Sequence, residues 1–139
     1  DLSENEIDES IYDTMLLSVD VAHALHPNKK EKMDITNMPV MGKGFCIKQA
    51  CSQSYATDAQ AIAILCQLCD EKGIPYQRFV NRSDSRGGST LGSIAGTLLP
   101  VKTVDIGIPI LAMHSACELM GVRDMKALSD CVTAFFGYH

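Results

Sequence analysis

Apolar positions along the chain change their spacing several times, and each change marks a predicted element. In SENEIDESIYDTML the residues Ile7, Ile11 and Met15 recur at helical spacing and give one apolar edge. Ser3 and Glu6 stand three apart at its start, the spacing of a capping box, and acids crowd the first turn where the helix dipole favours them. LLSVDVA, residues 16–22, then reads as a short strand. From His26 to Gly44 the chain turns polar, with Pro27, Asn37, Pro39, Gly42 and Gly44, and predicts a long surface loop of a kind that often carries function. FCIKQ, residues 45–49, is the next strand.

ATDAQAIAILCQLCDEKGIP gives the clearest helix. Thr57 and Gln60 have capping-box spacing, Ile62, Leu65, Cys66 and Cys69 make one face, and Gly73 and Pro75 end it. YQRFVN, residues 76–81, predicts a strand, and SDSRGGSTLG leads into a short helix, SIAGTLL, halted by Pro100. KTVDIGIPI, residues 102–110, is another strand, followed by LAMHS. The last helix runs through DMKALSDCVTAFF with Met125, Leu128, Val132 and Phe136 inward. Strands alternating with helices predict one α/β domain over residues 1–139, a mostly parallel sheet with helices on both faces. In such sheets ligands gather beyond the carboxyl ends of the strands.

Composition narrows the function classes. With 139 residues and 46% of them hydrophobic, the chain can bury a single core. No run approaches the roughly 20 apolar residues of a membrane span, and no signal-like segment opens the sequence. A cytoplasmic protein with no membrane partner is the expectation. The net charge of −5 is concentrated at the start, where Asp1, Glu4, Glu6, Asp8, Glu9 and Asp13 meet no base. No basic stripe forms elsewhere, which argues against nucleic acid as a partner. The opening on Asp1 rather than Met predicts a processed product or part of something longer. Of six cysteines, Cys66 and Cys69 form a C-x-x-C, but within an apolar helix and without a second pair to complete a zinc site. Six reduced, mostly core thiols are expected.

The chemistry collects at predicted strand exits: Asp20, His23 and His26 after the first strand, Asp84, Arg86 and a glycine pair after the third, and His114 after the fourth. Any one alone is more commonly a cap or a satisfied histidine; their coincidence raises their interest. Asp20 and His114 are candidate metal ligands, since carboxylate and imidazole suit Zn, Co or Mn. Zinc takes three or more protein ligands, so others are needed. The loop carrying Gly87 and Gly88 lacks G-K-[ST] and G-x-G-x-x-G, so both nucleotide signatures are absent. It is either an oxyanion or carbonyl cradle of backbone N–H groups or a tight turn.

SVDVAHALHPN, GKGFCIKQACSQSYATDA, RSDSRGGSTLG and VDIGIPILAMHS, in this order, resemble the C-terminal blocks of the aspartyl aminopeptidase and vacuolar aminopeptidase I family of dinuclear zinc exopeptidases, in a bacterial-type form. The likeness covers nearly the whole chain. It implies that Asp20 ligates one of two zinc ions and His114 the other, and that His23 contacts the substrate at the reacting carbonyl. It further implies that Lys48 and Tyr55 contact substrate, that Gly87 and Gly88 line the active site, and that the chain is the C-terminal portion of a catalytic domain. His26 is read as a residue of the Pro27 turn.

In that family the first histidine ligand, the bridging aspartate, the general-base glutamate and a glutamate ligand precede the block that begins here, and members assemble as dodecamers. The implied activity is removal of N-terminal residues, Asp or Glu foremost, from peptides by two-metal activation of water. The 139 residues alone are then expected to be inactive and to expose apolar surface. The rival reading is a non-catalytic α/β interaction domain.

Overall fold

The computed structural model describes residues 2–85 and 87–137, so the prediction for Arg86 lies outside the described residues. Ser3 and Glu6 do form the reciprocal capping box, opening helix α1 (Glu4–Asp13). The helix stops before Met15, and none of its residues is buried, so the expected apolar edge of Ile7, Ile11 and Met15 packs against nothing as a unit. Strand β1 (Met15–His23) follows directly, and the loop after it carries a single 3₁₀ turn at Lys30–Lys32.

Strand β2 (Phe45–Gln49) leads to helix α2 (Ala59–Lys72), then to strand β3 (Tyr76–Val80). The cap of α2 is Asp58, whose carboxylate accepts from Ala61 N–H at 2.8 Å. Thr57, the expected cap, instead accepts the Ala50 N–H through its hydroxyl. Gly73, in the left-handed region, closes the helix as expected. Helix α3 (Leu91–Leu98), strand β4 (Lys102–Leu111), a two-residue strand β5 (Leu119–Met120) and helix α4 (Val122–Phe136) complete the chain.

The sheet order is β1-β4-β2-β3, with β5 on the far end of β4. β1 runs parallel to β4 and β3 parallel to β2, but β2 and β4 are antiparallel. The exit of β3 therefore lies at the opposite end of the sheet from the exits of β1 and β4. The expected gathering of three strand exits at one edge does not occur, because alternation of helices and strands does not specify strand direction.

Side-chain alternation on β4 separates two faces. Val104, Ile106, Ile108 and Ile110 meet Phe45 and Ile47 of β2 and the apolar sides of α2 and α4 in the main core. Thr103, Asp105 and Gly107 face the other way, towards α3, where Gly92 packs so closely that an added Cβ would lie 2.6 Å from Ser18 Cβ. Helices thus cover both faces of a mostly parallel sheet.

In α4 the inward residues are Asp124, Ala127, Leu128 and Cys131, whereas Met125 and Phe136 are exposed. Asp124 claims the inward position because its two carboxylate oxygens accept the N–H groups of Gly42 and Gly44, at 2.7 and 2.8 Å. All six cysteines are free; Cys46, Cys69 and Cys131 are buried, Cys66 is half-buried, and Cys51 and Cys117 are exposed, so half rather than most are core. No helix among the described residues is long and apolar enough to cross a membrane.

Candidate active site

Asp20 lies within β1 rather than after it, on the face shared with Ser18, and its register partner on β4 is Gly107. A Cβ at Gly107 would come within 2.7 Å of the β1 backbone, so glycine allows the two strands to meet there. Antiparallel β2 then brings Lys48 across. The buried Lys48 ammonium lies 3.1 Å from Asp20 Oδ2, donates to Val21 O at 3.0 Å, and sits 4.6 Å above the centre of the Tyr55 ring. Partial burial works against the Asp20 charge. The Val21 N–H, the Lys48 ammonium and His114 outweigh it, and the carboxyl titrates below its ordinary range.

Tyr55 is itself buried between loop and sheet. Its ring packs against Phe79, and its hydroxyl accepts from Asn81 Nδ2 at 2.9 Å. Gly87 belongs to this arrangement: a Cβ there would lie 2.1 Å from Asn81 Nδ2. Gly88, by contrast, opens onto free space and lines the cavity. The glycine pair divides its work, one residue seating the Tyr55–Asn81 pair and the other keeping the floor low.

His114 follows β4 in a tight turn. Both it and Ala112 adopt left-handed backbone, at φ 67° and 56°, which costs side-chain-bearing residues of order 1–3 kcal/mol each. Its N–H is held by Glu118 Oε1 at 2.5 Å. His23 ends β1; burial, then His114 and Lys48, push its pKa down, so the imidazole stays neutral at pH 7. His26 stands apart, its Nδ1 accepting the Asn28 N–H at 3.1 Å across the Pro27 turn.

Asp20, His23, Lys48, Tyr55, Gly88 and His114 line one cavity of about 140 Å³. Asp84 is not among them; it is exposed and paired with Arg82. A carboxylate and an imidazole in one cavity are a fitting donor pair for zinc. Among the described residues, however, no three His, Cys, Asp or Glu side chains cluster closely enough to hold an ion.

One residue escaped the sequence reading. Asp105 is fully buried in the middle of β4, accepting the Ala56 N–H at 2.5 Å and the Thr90 hydroxyl at 2.7 Å, with Oδ1 unpartnered. It ties the loop that carries Tyr55 to the end of the glycine loop, behind the cavity wall. Its signal was an acid inside an otherwise apolar strand, TVDIGIPIL.

Comparison with known proteins gives the family and the fold. A sequence profile described as aminopeptidase I zinc metalloprotease (M18) matches residues 2–136. A Clostridium novyi protein named probable M18 family aminopeptidase 2 is 53% identical over 111 residues, 80% of this chain and 26% of its own length. Among solved structures, one chain of the Ape4 and Nbr1 complex superposes with a TM-score of 0.94 at 33% identity, over 98% of this chain and 26% of that one. The S. cerevisiae mApe1 dodecamer superposes with a TM-score of 0.84 at 25% identity, over 95% of this chain and 28% of its own. The chain thus spans about a quarter of the length of these relatives.

Proposed function

The chain belongs to the aminopeptidase I zinc metalloprotease family (M18), and from there we propose that it forms part of the active site of an enzyme that removes N-terminal Asp or Glu from peptides. The observation that carries this is the convergence of Asp20, His23, Lys48, Tyr55 and His114 on one cavity. Asp20 and His114 would each hold one of two ions, zinc foremost, with Co or Mn as substitutes, and chain outside these residues would complete both sites. Zinc when bound supplies a Lewis acid that polarises a carbonyl and makes water more acidic.

The chain's own residues do the rest of what is proposed here. Lys48 fixes the Asp20 carboxylate in its ligating position. As the ammonium lining the cavity, it also favours an anionic N-terminal side chain. Neutral His23 can donate an N–H to the oxygen of the reacting carbonyl as negative charge grows there. Tyr55, anchored by Asn81, walls the side-chain pocket. A large homo-oligomer, like the S. cerevisiae relative, is part of the reading.

The test is hydrolysis of Asp, Glu and Leu amides by the full-length protein and by the 139-residue chain, before and after chelation and zinc restoration. Zinc-dependent release of Asp and Glu ahead of Leu, by the full-length protein alone, is expected. Turnover by the short chain that Asp20→Ala abolishes would show that its site is complete without further ligands.

A further inference from the structure

A second cavity, of about 380 Å³, lies on the other side of His23 and shares both His23 and Phe79 with the first. Its rim carries His26, Lys29, Lys32 and Arg82, its floor Met33 and Phe79, and no carboxylate lines it. We infer that this cavity is the subsite for the first residue of the departing peptide and that it selects a carboxylate there; the inference rests on the aminopeptidase reading above.

The geometry supplies both halves of the argument. The cavity with Asp20 and His114 has room for little more than the end of a peptide, and with the reacting carbonyl at His23, as proposed above, the departing chain leaves past that side chain. The only space that shares His23 with it, among the cavities described, is this one. The rim has one more cation than carboxylate partners, since Lys29, Lys32 and Arg82 are met by Glu31 and Asp84. Arg82 is fixed by Asp84 and by a bond from Nη1 to the Glu31 carbonyl, and Lys29 stands 3.9 Å from Glu31. Lys32 has no carboxylate partner within salt-bridge distance among the described residues.

His26 accepts the Asn28 N–H at Nδ1, so in its neutral form Nε2 carries the proton and is a donor. A buried apolar floor of Met33 and Phe79 beneath a cationic rim matches the methylenes and carboxylate of a glutamate side chain, or the free carboxylate of a dipeptide.

Comparing kcat/KM of the full-length protein on Asp-Glu-amide, Asp-Ala with a free carboxylate, and Asp-Ala-amide separates the two carboxylate sources. At least one carboxylate substrate should exceed Asp-Ala-amide about tenfold, with the margin shrinking as salt rises. Lys32→Gln combined with Arg82→Gln should remove that margin, and Lys32→Glu alone, at an exposed position, should reverse it. Equal kcat/KM on all three substrates, or equal losses in the variants, overturns the inference.

Binding supplies a readout apart from turnover. N-acetylglutamate amide, which lacks the free N-terminal amine that an aminopeptidase substrate needs, should bind about tenfold tighter than N-acetylglutamine amide by calorimetry, and the double variant should lose the difference. Such binding without peptide turnover would keep the carboxylate cavity while refuting the aminopeptidase reading. No difference between the two amides would overturn the cavity assignment itself.

Discussion

His23 and His114 line the same cavity, yet they are held differently. His114 is held in a strained turn by its own backbone, the behaviour of a residue placed for one contact, whereas His23 is a neutral imidazole between two cavities. In the full-length protein, His114→Ala should lower bound metal, while His23→Ala should leave metal in place and lower turnover. Metal analysis of both purified variants decides it, and a fully loaded His114→Ala protein contradicts the assignment. Lys48 offers a second test at this scale. Lys48→Met should cost roughly ten- to a hundredfold in kcat/KM on Asp and Glu peptides and much less on Leu peptides; equal losses would make Lys48 only the holder of Asp20. Asp20 and His114 were singled out because their types suit a metal and Lys48 because it falls in a family block; the structure brings all three to one cavity. Asp105 and Asp124 were not, since a pattern of apolar and polar positions sends every acid to the surface. Both are fully buried, with backbone N–H groups of distant loops for partners.

Among the elements, strand positions were the most readable. FCIKQ is β2 to the residue, and the helix over Ala59–Lys72 ends on Gly73 as its composition indicates. Helix faces and caps were less so. The inward face of α4 turned on Asp124, which joins the helix start to the Gly42–Gly44 turn across 80 residues of sequence. Gly44 is itself constrained there: its φ is 103°, and a Cβ would lie 2.1 Å from the Pro75 carbonyl oxygen. Asp124→Ala would leave two N–H groups without acceptors, at least one of them deeply buried. The expected loss of stability is about 2–4 kcal/mol in denaturant unfolding, with Asp124→Asn recovering part through its one remaining oxygen. A loss within about 0.5 kcal/mol, the range of ordinary surface changes, would mean that the turn does not depend on this anchor.

For the molecule as a whole, the fold class was readable from alternating strands and helices, but the antiparallel meeting of β2 and β4 was not. That reversal carries Lys48 to Asp20, so the site is assembled on a sheet face rather than along one sheet edge. The exposed apolar residues Val19 on edge strand β1 and Leu91 and Leu98 on α3 agree with the expectation of uncovered apolar surface. With Asp20 and His114 as the two proposed ligands in the cavity, each ion must be completed from elsewhere in the protein. Anomalous scattering at the zinc edge from crystals of the full-length protein measures this directly. Two zinc peaks are expected, one about 2.0–2.2 Å from an Asp20 carboxylate oxygen and the other about 2.0–2.1 Å from a His114 ring nitrogen. Zinc bound elsewhere, with both side chains free of metal, would contradict it.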